Sequence, residues 1–422
     1  MTPPLSIDAA RFLGRLGSLA RIGRDAQGRL TRLAASDADR AGRDALAAWM
    51  REAGLEVMVD RIGNLIGLWR PGGRDGAPVM MGSHIDTVID AGAYDGCTGV
   101  LAGLAVVETM RAAGREPARP LAVAAFTNEE GVRYAPDMLG SLVAAGGLAV
   151  EEALATVGTD GTILGEELAR IGYAGPHEPG FLRPHAYVEL HVEQGPVLER
   201  EGIAIGAVED LQGISWQEVT IAGAANHAGT TPMAMRRDAG VAAAQVVTWL
   251  RERARAGNGR SVATVGRLRL EPDAINVIPA RAVFTVDLRD PDAARLSALE
   301  ADFAARLAAV ARAEQVTATV RRLARFDPVA FDPGIVRAIE AAAGARGLST
   351  RRMTSGAGHD AQMMARICPA AMIFVPSIGG ISHNPRERTA DADLVAGANV
   401  LLDVVVRLSG ADPASPSAGA GA

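Results

Sequence analysis

The sequence predicts an α/β protein in which a domain built on a mixed, mostly parallel sheet, with helices on both faces, is interrupted by a smaller βαββαβ unit. Three observations predict it. The chain has 422 residues, more than one core usually organises, so two domains are the default. Between Pro78 and Phe126 an apolar strand, an apolar helix and a second apolar strand follow one another, the pattern of a right-handed crossover in a parallel sheet. From Ile214 to Arg325 the pattern changes to strands and two long helices in ferredoxin-like order, which can close on itself. The expected divisions are 1–213 and 328–410 for the sheet domain, 214–327 for the insert and 411–422 for a small, polar, disordered tail.

In chain order, the N-terminal segment is helical, with Ser36-Asp37-Ala38-Asp39 as the cap of the helix through Ala45–Met50. Two short strands, 55–60 and 64–69, are joined by a Gly-containing turn. A strand ends at His84 and is followed by a Gly-rich loop, a helix over about 97–113 and a strand over 121–126. Another strand spans 186–190. In the insert, strands are expected at 216–221, 262–270, 283–288 and 316–323, and helices at 238–255 and 293–313. A helix over about 333–345, a strand over 371–375 and a helix over 394–408 complete the sheet domain.

Composition excludes several kinds of chemistry. The net charge of -6 and pI near 5.7 give no global attraction to nucleic acid or to an anionic membrane. No apolar run reaches the length of a bilayer span and the first residues lack a secretory pattern, so a cytoplasmic protein is expected. All 43 basic residues are Arg, which rules out Schiff-base, Ser-Lys and P-loop lysine chemistry. Cys97 and Cys368 have no spacing that suggests a disulfide framework or a zinc knuckle.

The chemistry-bearing residues gather at strand ends. Gly82-Ser83-His84-Ile85-Asp86-Thr87 and Tyr94-Asp95-Gly96 follow one strand, Thr127-Asn128-Glu129-Glu130-Gly131 a second and His191-Val192-Glu193-Gln194-Gly195 a third; His383 lies near the C-terminus. Any one of these has a plain structural reading, since Asp-Gly is a common turn and a single His is often a packed core residue. Their recurrence points to a metal site. Imidazoles and carboxylates without thiolates suit zinc, manganese, cobalt or nickel, and one carboxylate can bridge two ions. Asp86, two residues beyond His84, is placed to orient it. The adjacent like charges of Glu129 and Glu130 make sense if Glu130 binds an ion while Glu129 moves the proton of an attacking water. His177 and His185 read as loop residues, Cys97 as a small packed residue, and Glu193 and Asp290 as solvated or structural. His359 suits either support of the site or the ordering of a loop.

These motifs, with Glu189-Leu190-His191, Asn226-His227-Ala228-Gly229-Thr230-Thr231-Pro232-Met233, Ala274-Ile275-Asn276-Val277-Ile278-Pro279, Asp287-Leu288-Arg289-Asp290, Ser355-Gly356-Ala357-Gly358-His359-Asp360 and Gly379-Gly380-Ile381-Ser382-His383-Asn384-Pro385, lie in order over nearly the whole chain. Together they resemble the N-carbamoyl-L-amino-acid hydrolase, β-ureidopropionase and allantoate amidohydrolase branch of the dinuclear, aminoacylase-like metallopeptidase superfamily. The resemblance implies two divalent ions per subunit, with Asp95 bridging, His84 and His191 at the first site, and Glu130 and His383 at the second. It implies Glu129 as general base, His227 as the group that polarises the scissile carbonyl, and Asn276 at the carboxylate end of the substrate. Arg289 offers the planar fork that suits that carboxylate, and Gln194 and the loop through Gly358 line the pocket. It also implies a cis Asp95–Gly96 peptide and a homodimer paired through the insert, with His227 and Asn276 often reaching the neighbouring subunit.

The expected activity is cleavage of the ureido C–N bond of an N-carbamoyl-L-amino acid or N-carbamoyl-β-alanine, a small ureido substrate with a carboxylate, with no nucleic-acid or membrane partner. Allantoate amidohydrolase is the nearest alternative. A dinuclear peptidase and a non-catalytic paralogue are the others, the last disfavoured because every implied ligand and Glu129 are present.

Overall fold

The computed structural model describes residues 5–257 and 259–411. The expected disordered tail lies outside them except for Ala411, which is buried. In chain order the strands are β1 (Glu56–Val59), β2 (Leu65–Trp69), β3 (Val79–His84), β4 (Leu121–Phe126), β5 (Ala186–Val192), β6 (Ile205–Leu211), β7 (Gly213–Ala222), β8 (Val262–Thr264), β9 (Leu268–Glu271), β10 (Arg281–Asp290), β11 (Thr317–Phe326), β12 (Val329–Ala330), β13 (Thr350–Ser355) and β14 (Ala370–Val375). The chain forms two compact units. One holds the described residues up to Glu209, Phe331–Met353 and those from Gly358 on; the other holds Asp210–Ala330 and Thr354–Ala357.

In the first unit the strands run β1-β2-β4-β3-β5-β14-β6, with β13 against β6. The central β4, β3, β5 and β14 are parallel to one another, and β1, β2 and β6 are antiparallel additions at the flanks. All residues of β3, β4, β5 and β14 are buried, which is why these strands read as unbroken apolar runs such as Leu121-Ala122-Val123-Ala124-Ala125-Phe126 rather than as alternation. The helix Cys97–Ala112 packs on β3, and the helix Asp391–Leu408 packs on it in turn. Ser36 caps the helix Asp37–Glu52 by accepting the amide of Asp39.

The second unit is a five-stranded antiparallel sheet in the order β11-β7-β10-β8, with β9 also on β10. Its helices Ala239–Arg255 and Ala293–Ala313 cover one face, burying Val219, Ile221, Phe284, Val286, Phe303 and Leu307. The alternation of β7 and β10 follows from this one-sided burial.

Four details differ from the sequence reading. The expected strand 262–270 is two strands: Thr264 lies opposite Asp287 and Leu268 opposite Phe284, so one extra residue bulges out around Gly266. The strand holding His191 runs on to Val192, because Val192 pairs with Val375. Strands β6 and β13 were not anticipated, since Thr350-Arg351-Arg352-Met353-Thr354-Ser355 has almost no apolar alternation and buries only Met353 and Ser355. The second unit also takes in the return segment Thr354–Ala357, which a contiguous boundary assigns to the sheet domain. Among the described residues no helix is long and apolar enough to cross a membrane.

Candidate metal centre

The four parallel strands share a direction, so their carboxyl ends meet along one edge of the sheet, where open α/β sheets build their sites. β3 ends on His84, β4 runs into Glu129 and Glu130, β5 carries His191, and the chain leaving β14 reaches His383.

Asp95 is the meeting point. Its Oδ1 lies 3.0 Å from His191 Nε2 and 3.5 Å from His84 Nε2. Its Oδ2 lies 3.2 Å from His383 Nε2 and accepts from Gln194 Nε2 at 2.8 Å. Glu130 Oε2 is 3.4 Å from His383 Nε2, and Glu129 Oε2 is 3.3 Å from His84 Nε2. Of the three donor groups among the described residues whose atoms lie within 4.8 Å of one another, Glu189/His191/His359 lacks Asp95, and His84/Asp95/His191 and Asp95/Glu130/His383 share it. Nitrogen and carboxylate donors without a thiolate fit a divalent first-row ion. Glu130 Oε1 is buried with no hydrogen-bond partner, an orphan of the kind a cation satisfies. Gathering Asp86, Asp95, Glu129 and Glu130 in a buried cluster is costly unless positive charge offsets it.

Local backbone chemistry explains the arrangement. Gly96 makes the bend between Asp95 and the following helix with φ 61 and ψ -48, a conformation open to glycine, and a Cβ there would come 2.5 Å from the His84 ring. The expected cis peptide at Asp95–Gly96 is not found; among the described residues the cis bonds are Ala135–Pro136 and Glu271–Pro272, and the rotation of Gly96 supplies the turn instead. Asp86 acts differently on its two neighbours. Its carbonyl meets His84 Nδ1 at 3.0 Å, while its carboxylate, 3.8 Å from that nitrogen, accepts the amides of Glu129 and Glu130 at 3.2 Å each. The adjacent glutamates are therefore anchored through their main chain. His191 Nδ1 is engaged by the Val192 carbonyl at 2.8 Å, which turns Nε2 toward Asp95.

The electrostatics are those of a tightly shared cluster. Burial pushes the Asp95 carboxyl up, but hydrogen bonds with His191, His383 and His84 outweigh it and hold it well below the usual range. Burial and then the neighbouring Asp95 raise Glu130 to about 7. Glu129 is raised well above its ordinary value by burial, only partly relieved by His84. The hydrogen bond with Asp95 lifts His383 to about 9. Burial and then His191 depress His359, whose imidazole is tilted against His191 at a centroid distance of 4.5 Å.

In the second unit, the loops of His227 and Asn276 run side by side. Ala228 N donates to the Asn276 carbonyl at 2.9 Å, Ile278 N donates to the Asn226 carbonyl at 2.9 Å, and His227 bridges Val277. His227 is exposed, and its Nδ1 accepts the amides of Gly229 and Thr230 at 3.0 and 3.2 Å. Its ring proton is therefore on Nε2. Arg289 gives its Nε and one Nη2 hydrogen to Asp287 and one Nη1 hydrogen to the Gly356 carbonyl, leaving one N–H on each terminal nitrogen. Gly358, in the first unit, lies against Met138, where a Cβ would come 2.9 Å from its Cε.

Other residues have structural places. Glu193 accepts the amides of Val197 and Leu198 at 2.8 Å each, and Asp290 pairs with Arg295 at 3.0 Å. Cys97 is buried with its thiol pushed up by burial, beside Arg32, so the helix N-terminus does not activate it. His177 stacks on Phe181 at 4.6 Å and His185 is exposed.

Three buried carboxylates around the centre were not singled out from the sequence: Glu189, which accepts from Ser83, Tyr187 and the Ala361 amide; Asp360; and Glu387, which accepts the amides of Tyr94 and Asp95. Glu189 did carry a signal, a charge inside the apolar run of β5. Glu387 carried none, since the Tyr94 and Asp95 amides it accepts are almost three hundred positions away.

The family model described as Peptidase family M20/M25/M40 matches residues 80–407. An N-carbamoyl-L-amino-acid amidohydrolase of Rhizobium meliloti is 41% identical over 401 residues, covering 95% of this chain and 96% of that protein. An allantoate deiminase of Arabidopsis thaliana is 33% identical over 435 residues, covering 93% of this chain and 81% of that protein. A crystal structure of an amidase of the hydantoinase/carbamoylase family from Burkholderia multivorans superposes with a TM-score of 0.94 at 42% identity, covering 98% of this chain and all of that one.

Proposed function

The chain belongs to peptidase family M20/M25/M40, and from that premise we propose that it hydrolyses the ureido C–N bond of N-carbamoyl-L-amino acids. One water is consumed, and the amino acid, carbon dioxide and ammonia are released. N-carbamoyl-β-alanine fits the same chemistry. The observation that carries the reading is Asp95, one carboxylate whose two oxygens face two separate donor groups. We assign two divalent ions, zinc or manganese, cobalt or nickel, to these groups: His84 and His191 hold the first, Glu130 and His383 the second, and Asp95 both. Ions so held would polarise the carbamoyl oxygen and lower the pKa of the attacking water.

The chain's own residues divide the remaining work. Glu129 takes the proton of the attacking water and returns it to the leaving nitrogen, with Asp86 fixing its main chain. His227 donates from Nε2 to the oxygen on which charge develops, its tautomer being set by the two amides on Nδ1. Arg289 takes the substrate carboxylate through the N–H groups left on its terminal nitrogens, and Asn276, which with His227 lies at the opposite end of β10, reaches the substrate from the second subunit of a homodimer. Gln194 holds Asp95 Oδ2, and the loop of Gly358 lines the pocket. We further propose a homodimer paired through the second unit, and a cytoplasmic site of action, which the two unpaired cysteines favour.

The allantoate reading shares this machinery, and the higher identity to the carbamoyl-amino-acid enzyme favours the first. Ammonia release by the purified enzyme from N-carbamoyl-L-amino acids, N-carbamoyl-β-alanine and allantoate, with release of free amino acids from dipeptides measured alongside, tests the choice. Turnover of the N-carbamoyl-L-amino acids is expected to exceed the rest. Turnover of allantoate alone would replace the substrate assignment, and turnover of dipeptides alone would make the protein a peptidase.

A further inference from the structure

We propose that Glu387 is a positioning residue of the centre: its carboxylate ties the loop that carries Asp95 to the loop that carries His383, and so sets the geometry of the second donor group. The proposal rests on the two-ion reading above and concerns a residue outside both donor groups.

Glu387 is only 4% exposed and uses its two oxygens on two different loops. Oε1 accepts the amides of Tyr94 and Asp95 at 2.9 and 3.2 Å. Oε2 accepts the hydroxyl of Ser382, the residue before His383, at 2.8 Å. The same hydroxyl stands 3.3 Å from Asp95 Oδ2, so Ser382 sits between the tether and the shared carboxylate. The Glu387 amide donates to the Asn384 carbonyl at 3.0 Å, closing the turn that follows His383. The Asp95 loop is pressed onto this side chain: a Cβ on Gly92 would come within 2.3 Å of Glu387 Cβ. A buried carboxylate with three donors from two loops holds those loops at a fixed separation.

The two donor groups depend on this tether unequally. His84 and His191 lie within β3 and β5, whose backbone ladders fix them whatever the loops do. His383 and Glu130 lie in loops, and the His383 side chain is 51% exposed with a backbone φ of 51. Loss of Glu387 therefore loosens the second group, where Asp95 and His383 are both tied to it, more than the first, where Asp95 alone is. Glutamine there would keep an acceptor for the Tyr94 and Asp95 amides but present an N–H to Ser382, reversing that bond and giving a partial effect.

The test is titration of cobalt(II) into metal-free enzyme, followed by visible absorption and by calorimetry, for the wild type, Glu387→Ala and Glu387→Gln. The wild type is expected to bind two ions. Glu387→Ala should bind the first ion within a few-fold of the wild type and the second roughly 10–100-fold more weakly, the usual cost of losing a residue that orients ligands. Glu387→Gln, which keeps the tether's volume and folds if Glu387→Ala does not, should lie between them. Two ions bound with wild-type affinities in both variants would overturn the proposal alone, and so would equal weakening at both sites, which is the mark of general loosening. A single ion bound by the wild type would overturn the two-ion reading and this proposal with it.

Discussion

Replacing Glu129 by glutamine separates the proposed general base from the proposed metal ligands. The substitution is nearly isosteric, and the two interactions that place this stretch, the Glu129 and Glu130 amides on the Asp86 carboxylate, involve only the main chain. Glu129 belongs to neither donor group, so every proposed ligand remains in place. What is lost is the carboxylate oxygen 3.3 Å from His84 Nε2, the atom proposed to take the proton of the attacking water. Losing a positioned proton acceptor costs about 10²–10⁴ in rate, roughly 3–5 kcal/mol in the barrier. The assay pairs kcat for ammonia release with metal content by atomic absorption after dialysis. A fall of that size with unchanged metal content is expected. Lost metal would reassign Glu129 as a ligand, and a kcat within a few-fold of wild type would remove it from the proton transfer.

Other consequences are equally direct. Arg289→Ala removes a charge-assisted fork worth about 1.5–3 kcal/mol, so KM for an N-carbamoyl amino acid should rise roughly 10–100-fold with a smaller change in kcat; an unchanged KM would remove Arg289 from carboxylate binding. Gly96→Ala forces a Cβ to 2.5 Å from the His84 ring at a glycine conformation, and calorimetric titration should show metal affinity lost at the site of His84; retained affinity would show that the loop absorbs the methyl. Arg43→Met strands the buried Asp39 that it pairs with at 2.8 Å, and should cost roughly 3–5 kcal/mol, read as a fall in Tm that Asp39→Asn in the same chain partly restores.

Much of this was legible because buried parallel strands announce themselves. A strand covered on both faces spares few polar positions, so polar residues gather toward its end, and His84, Glu129, Glu130 and His191 stood out against apolar runs. The helices at 97–112 and 293–313 were legible for a related reason, being long and closely patterned. β13 was not, because it gains its place from pairing with β6 rather than from apolar surface of its own. The bulge at Gly266 depends on the register against β10, which no local pattern encodes. Glu387 was illegible for the same reason at a larger scale: its meaning lies in the amides of Tyr94 and Asp95, and only the fold brings them to it. Asp86 was expected to orient His84 through its carboxylate, yet the partners of that carboxylate are main-chain amides, which a reading of side-chain types does not reveal.

The central claim is that two ions shared through Asp95 support hydrolysis of an N-carbamoyl-L-amino acid. Stripping the enzyme with a chelator and restoring zinc, manganese, cobalt or nickel in measured equivalents, with ammonia release from that substrate as the readout, tests it most directly. Activity is expected to vanish on stripping and to return fully at two equivalents per chain; activity that survives thorough removal, or that is complete at one equivalent, would contradict it.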